Sequence, residues 1–133
     1  MEPPEAKASP SQKPYSAERA LAILERVYGP EHAQTAMLYR NLGDVHREAA
    51  EYDEALADYF KTLKVYESLL GTHHDETAYC YYNIGMSYEA MGNHSNALVY
   101  LNKAYTALKT THGPDDPSLK TIKELIEAIQ KFD

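Results

Sequence analysis

Apolar positions along this chain recur three and four residues apart over most of its length. Tyr52, Ala55, Leu56, Tyr59, Phe60 and Leu63 make one such set, and Leu119, Ile122, Leu125, Ile126 and Ile129 make another. That spacing follows the turn of an α-helix and gathers each set on one face. Six helical segments are expected, at about 16–28, 33–49, 53–70, 75–91, 95–110 and 117–131. The polar and small residues between them act as punctuation. Gly71 and Gly113 follow two of the segments, where a left-handed C-cap favours Gly. Gly92-Asn93 breaks the pattern between the fourth and fifth segments. Ser16, Asp53 and Ser95 stand before apolar stretches as N-cap candidates, and Pro117 can open the last helix.

The pattern repeats. Shifted by 42 residues, Gly29 meets Gly71 and then Gly113, His32 meets His74, and Thr35-Ala36 meets Thr77-Ala78. Tyr39 meets Tyr81, Asn41-Leu42-Gly43 meets Asn83-Ile84-Gly85, Ala55-Leu56 meets Ala97-Leu98, and Lys61 meets Lys103. Each unit, about 29–70 and 71–112, then holds an A helix followed by a B helix. Small residues recur at Gly43, Gly85, Ala55 and Ala97, where they would let the A and B backbones approach closely. The first helix matches the later part of a B helix, with Ala17, Ala20, Leu21, Leu24 and Val27 inward. The last buries its Leu/Ile face and exposes Lys120, Lys123, Glu124, Glu127 and Lys131. Both terminal helices are expected to close the stack with a polar outer face.

Composition narrows the function classes. The 133 residues suit one domain. Residues 1–14 hold four of the seven prolines and almost nothing apolar, which predicts a disordered tail ahead of a helical domain at 15–133. A net charge of −7, with Lys and Arg scattered among carboxylates, argues against a nucleic-acid partner. The lone Cys80 excludes an internal disulfide and suits a reducing compartment. No run reaches the length of a membrane span and no apolar leader opens the sequence, so a cytoplasmic protein without membrane insertion is expected.

The residues Tyr39, Leu42, Gly43, Ala55 and Tyr59, with Tyr81, Ile84, Gly85, Tyr88, Gly92, Ala97 and Ala104, resemble the tetratricopeptide repeat consensus. The usual period is about 34 residues. The longer period here, with Asn-Leu-Gly and the Gly29-Pro30-Glu31-His32 loop, is similar to the repeats of kinesin light chains and related adaptors. His46 and Ala50 depart from the pattern where Tyr88 and Gly92 follow it. The resemblance implies an all-α, right-handed superhelical stack of antiparallel helix pairs. It further implies that the A helices line a concave peptide-binding face. Carried over by position, that face includes Met37, Arg40, Asn41, Asp44, Arg47 and Glu48, then Tyr79, Tyr82, Asn83, Met86 and Glu89. Thr121, Glu124 and Ala128 of the closing helix complete its floor.

Within that set, Tyr79, Tyr82 and Met86 share one stripe that internal packing does not require, which suits an adaptable contact surface. Asn41 and Asn83 could each grip a peptide backbone or tie adjacent helices together. Six histidines lack metal-ligand spacing, and the His73-His74 pair reads as a turn or helix-entry feature. Cys80 has no basic neighbour in sequence to lower its pKa. No phosphate loop or nucleophile elbow occurs, so neither a cofactor nor catalysis is expected. The sequence therefore predicts a protein-protein interaction module, an adaptor or scaffold, whose groove takes a partner's peptide or helix. The alternative is a homo-oligomeric assembly unit.

Overall fold

Helices begin and end in this chain where their terminal backbone groups find partners. The computed structural model describes the backbone of residues 15–132, with side chains from residue 19 onward. The expected tail at 1–14 lies outside the described residues. Six α-helices follow one another: α1 (Tyr15–Tyr28), α2 (Ala33–Glu48), α3 (Tyr52–Leu70), α4 (Asp75–Ala90), α5 (His94–His112) and α6 (Pro117–Gln130). Each packs on the next, so α2–α3 and α4–α5 are the two A–B pairs and α1 and α6 flank them.

The repeated His32 and His74 are the N-caps of α2 and α4. Each Nδ1 accepts from the backbone N–H two residues on, at 3.1 Å, which satisfies one of the open donors of the first turn. That bears out the helix-entry reading of these histidines. The repeated threonines act beside them: Thr35 Oγ1 donates to Gly29 O at 3.1 Å and Thr77 Oγ1 to Gly71 O at 2.8 Å. Three cap expectations are corrected. Ser16, Asp53 and Ser95 lie inside their helices, because α1 already includes Tyr15 and the B helices start earlier. Asn93 caps α5 through its side chain, which accepts from Asn96 N–H at 3.2 Å, whereas Glu51 at the same place makes no side-chain cap bond.

Both A-to-B turns are the same motif. Asn93 N donates to Tyr88 O and Gly92 N to Glu89 O; Glu51 N donates to His46 O and Ala50 N to Arg47 O. This pairing closes a helix through one residue in the left-handed region. Gly92 adopts φ +81 there without cost, but Ala50 is held at φ +59, where a Cβ is disfavoured.

The core runs continuously from α2 to α6 and includes the fully buried Ala36, Tyr59, Ile84 and Leu101. Burying each of the larger side chains contributes about 1.5–3 kcal/mol. Small residues set the A–B spacing as expected. A Cβ on Gly43 would lie 2.8 Å from the Tyr59 ring, and one on Gly85 would lie 2.9 Å from Leu101 and 3.3 Å from Ala97 O. Between pairs, a second device repeats. Tyr39 Oη donates to Glu25 of α1 and Tyr81 Oη to Glu67 of α3, while Lys61 and Lys103 place their ammonium groups 4.8 and 5.6 Å from those rings. This accounts for the repeated Lys61 and Lys103.

The two ends of the stack differ. α6 buries Leu119, Ile122, Ile126 and Ile129 and turns a polar face outward. α1 does not close its end in the same way. Val27, expected inward, is 65% exposed and Ile23 is 58% exposed, because α2 covers only one side of this helix.

Candidate functional site

Superposing the A-type helices by the 42-residue shift arranges the candidate residues in rows across α2, α4 and α6. Met37, Tyr79 and Thr121 form one row, Arg40, Tyr82 and Glu124 the next, and Asp44, Met86 and Ala128 a third. The rows are not equally available.

Between α2 and α4 the side chains are largely engaged with one another. Arg40 Nη1 donates to Glu76 Oε2 at 2.9 Å, and Arg47 Nη1 donates to Asn83 Oδ1 at 3.2 Å. Asp44 accepts from the Tyr59 hydroxyl at 2.5 Å and has Arg47 Nη2 3.9 Å away. Burial, followed by the bond to Asp44, pushes the Tyr59 phenol well above its ordinary range. Arg40 and Arg47 thus bridge α2 to α4, whereas Asp44 joins α2 to its own B helix α3. The two asparagines therefore differ: Asn83 is half-buried and ties α4 to α2, while Asn41 is exposed.

Between α4 and α6 the surface opens into a cavity of about 200 Å3, lined by Ala78, Tyr79, Tyr82, Leu108, Ser118, Thr121 and Ile122. Its walls are mostly apolar, with two hydroxyl-bearing side chains from α6. Tyr79 is 52% exposed at its rim. Tyr82 and Met86 are half-buried against the core, so of the expected surplus stripe only Tyr79 is left unclaimed by packing. Met37 and Asn41 are exposed on α2, Glu48 is exposed at its end, and Glu89 is half-buried on α4. Four of the lining residues, Ala78, Leu108, Ser118 and Ile122, lie outside the face expected from the sequence. No sequence signal marks them: the 42-residue shift matches Ser118 and Ile122 with Glu76 and Cys80, neither of which is a groove position, and Leu108 lies on a B helix.

A second, more polar cavity of about 380 Å3 lies at the seam between the repeats, among Glu67, Thr72, His73, Tyr81, Asn102, Lys103 and Thr106. Its ionic groups already serve the Tyr81–Glu67 bond and the Lys103–ring contact. Cys80 is fully buried, and burial pushes its thiol up to about 12, so it is a neutral packing group near pH 7. His46 lies 3.0 Å from Glu51 Oε1 and 3.6 Å from Asp58 Oδ2, and His112 Nε2 lies 2.6 Å from Asp75 Oδ1. Among the described residues no three His, Cys, Asp or Glu side chains converge as a metal site would require. No described helix is long and apolar enough to cross a membrane.

Comparison with known proteins agrees with this architecture. The Tetratricopeptide repeat family matches residues 16–68 and 51–110. The crystal structure of BtubC (BKLC) from P. vanneervenii resembles this fold with a TM-score of 0.80 at 24% sequence identity. The likeness covers 86% of this chain and 46% of that one, so the chain spans about half of that protein's length. No curated protein sequence matches the chain. Six helices without a strand among the described residues, paired at a 42-residue period and matched by the family over more than half of the sequence, place this chain in the tetratricopeptide repeat family.

Proposed function

We propose that this chain is an adaptor or scaffold module that holds a peptide or helix of another protein along the inner face of its A helices. Repeats of this family generally mediate protein-protein interaction, and the fold is typically a non-enzymatic scaffold. The observation that carries the reading is the apolar-walled cavity between α4 and α6 with Tyr79 at its rim. A half-exposed tyrosine brings a large apolar ring and a polar tip at low entropic cost, which suits an anchor for a partner. The engaged Arg40, Arg47 and Asn83 serve mainly to hold the groove in shape, with Met37, Asn41 and Glu89 along its length.

Affinity capture from cell extract tests this. Tyr79→Ala and Thr121→Arg should each reduce capture of the wild type's partners, while stability moves by no more than about 0.5 kcal/mol, as for surface changes. Undiminished capture by both variants would move the contact elsewhere. The cytoplasm is the compartment that fits a chain whose single Cys80 is a free, buried thiol.

A homo-oligomeric role is the second reading, favoured by the exposed Ile23 and Val27 on α1. Sedimentation at micromolar concentration separates the two. A monomer, unchanged by Val27→Glu, removes the oligomeric reading.

A further inference from the structure

The exposed face of α1 is the face that its counterparts bury. The 42-residue shift sets Ile23 of α1 against Val65 of α3 and Ala107 of α5. Val65 and Ala107 are 3% and 1% exposed, whereas Ile23 is 58% exposed. Ala20 and Leu24 beside it are half-buried, while Thr62 and Tyr66 at the matching places of α3 are buried. In α3 this face is bordered by the A helix of its own repeat. Thr62 Oγ1 donates to Ala36 O of α2 at 3.2 Å, and the Lys61 ammonium stands 4.8 Å from the centre of the Tyr39 ring. In α5 the arrangement recurs, with Lys103 5.6 Å from the Tyr81 ring of α4. α1 packs on the A helix that follows it, α2, but among the described residues no A helix precedes it. Its open face is thus the A-helix side of a half-repeat, and Arg19 stands on it where Lys61 and Lys103 stand on the others.

Two occupants near at hand do not fit that place. Residues 1–6, which the shift sets against 43–48 of α2, carry the Pro3-Pro4 pair, which a helix interior excludes. The α6 of a second copy is an A-type helix, but it has Lys123 where Tyr39 and Tyr81 stand and Glu127 where Gly43 and Gly85 stand. It would set like charge against Arg19 and a long side chain at the point of closest approach. We propose that this face docks an amphipathic helix of another protein in the A-helix position, with an apolar stripe on Ile23 and an aromatic side chain over Arg19. Ile23 then regains the burial that Val65 has, and Arg19 gains the cation–π contact that Lys61 and Lys103 make. This surface lies at the α1 end of the stack and does not depend on the α4–α6 groove.

A side-chain-stapled peptide of residues 33–48, the chain's own α2, serves as the partner helix in fluorescence anisotropy with the full chain. The staple offsets the marginal stability of so short a helix. Saturable binding is expected, and Ile23→Glu should weaken it at least about tenfold. Arg19→Ala should weaken it about two- to fivefold, as should replacing Tyr39 of the peptide by Leu, and the two changes together should cost no more than either alone. Val99→Glu, at a similarly exposed apolar position on α5, should leave the affinity unchanged. Thermal melts check that the variants fold, and Ile23→Ser repeats the test without adding a charge. No saturable binding, or an affinity indifferent to both changes at Ile23, would overturn the proposal. So would sedimentation showing a wild-type dimer that Ile23→Glu dissolves, since a second copy would then hold the face. Dependence on Ile23 with strictly additive Arg19 and Tyr39 effects would overturn the A-helix register.

Discussion

In the first repeat Gly43 lies against the Tyr59 ring, whose hydroxyl donates to Asp44 at 2.5 Å. In the second, Gly85 lies against Leu101, and Met86 stands where Asp44 does. One turn further on, His46 is set between Glu51 and Asp58 at 3.0 and 3.6 Å. The matching residues of the second repeat are Tyr88 and Tyr100, which stack with centroids 5.9 Å apart. One backbone plan is thus filled twice, once with polar pairs and once with apolar contacts. The shared residues are those that fix how closely the helices approach and where they turn. The filling is free to change so long as volume is kept.

Truncation probes that contrast most strongly. Tyr59→Ala should cost about 3–5 kcal/mol, and Leu101→Ala about 2–5 kcal/mol, in chemical denaturation. Tyr59→Phe separates the ring from its hydroxyl. It should cost only about 1–2 kcal/mol, since Asp44 is partly exposed and can rehydrate. A cost near that of Tyr59→Ala would mean that the polar pair, not the ring, holds the first repeat together.

Transplanting the second repeat's filling comes next in size. His46→Tyr and Asp58→Tyr should each destabilise alone, because each strands the other's charged or polar partner. The double variant should recover about 1 kcal/mol relative to additivity as the two rings stack. Strict additivity would show that the two positions do not form one unit.

The turns give a smaller effect with opposite signs. Ala50→Gly should stabilise by about 0.5–1 kcal/mol, and Gly92→Ala should destabilise by about 1 kcal/mol, since both positions have positive φ. Equal signs would sink this account.

The last difference is silent at neutral pH. Cys80 in α4 stands where Leu38 does in α2, and burial raises its thiol from 9.0 to about 12. A raised folded value means that the unfolded chain ionises first. Stability from this group is therefore complete below about pH 9 and is lost between about 9 and 12. Tyr39 contributes similarly from 10.0 to about 12, through burial and then its bond to Glu25. Cys80→Val should make the alkaline decline in stability shallower while leaving the Tyr39 part in place. An unchanged slope would show that the thiol is not protected as its burial implies.

Much of this molecule is legible in its sequence. The helices, their order, the roles of Gly43 and Gly85, and the helix-entry place of His32 and His74 all follow from local spacing and repetition. The apolar spacing points to Ser95 as the cap of α5, two residues past Asn93, because several capping residues crowd the same turn and only backbone geometry chooses among them. Val27 was expected inward because a helical stripe shows which face is apolar, not whether a neighbour covers it.

The sequence by itself determined the repeat, the six helices and the close A–B contacts. Each of these depends on residues one turn apart or on a fixed 42-residue offset. Tertiary structure alone decided how the candidate groove is divided. Arg40 and Arg47 reach residues 36 positions away and close the α2–α4 half, while side chains of α4, α5 and α6 leave the space beside Tyr79 open. The physical reason is reach. Whether a long side chain bridges to the next helix or stays free for a partner depends on the spacing and angle between helices, which no local pattern records.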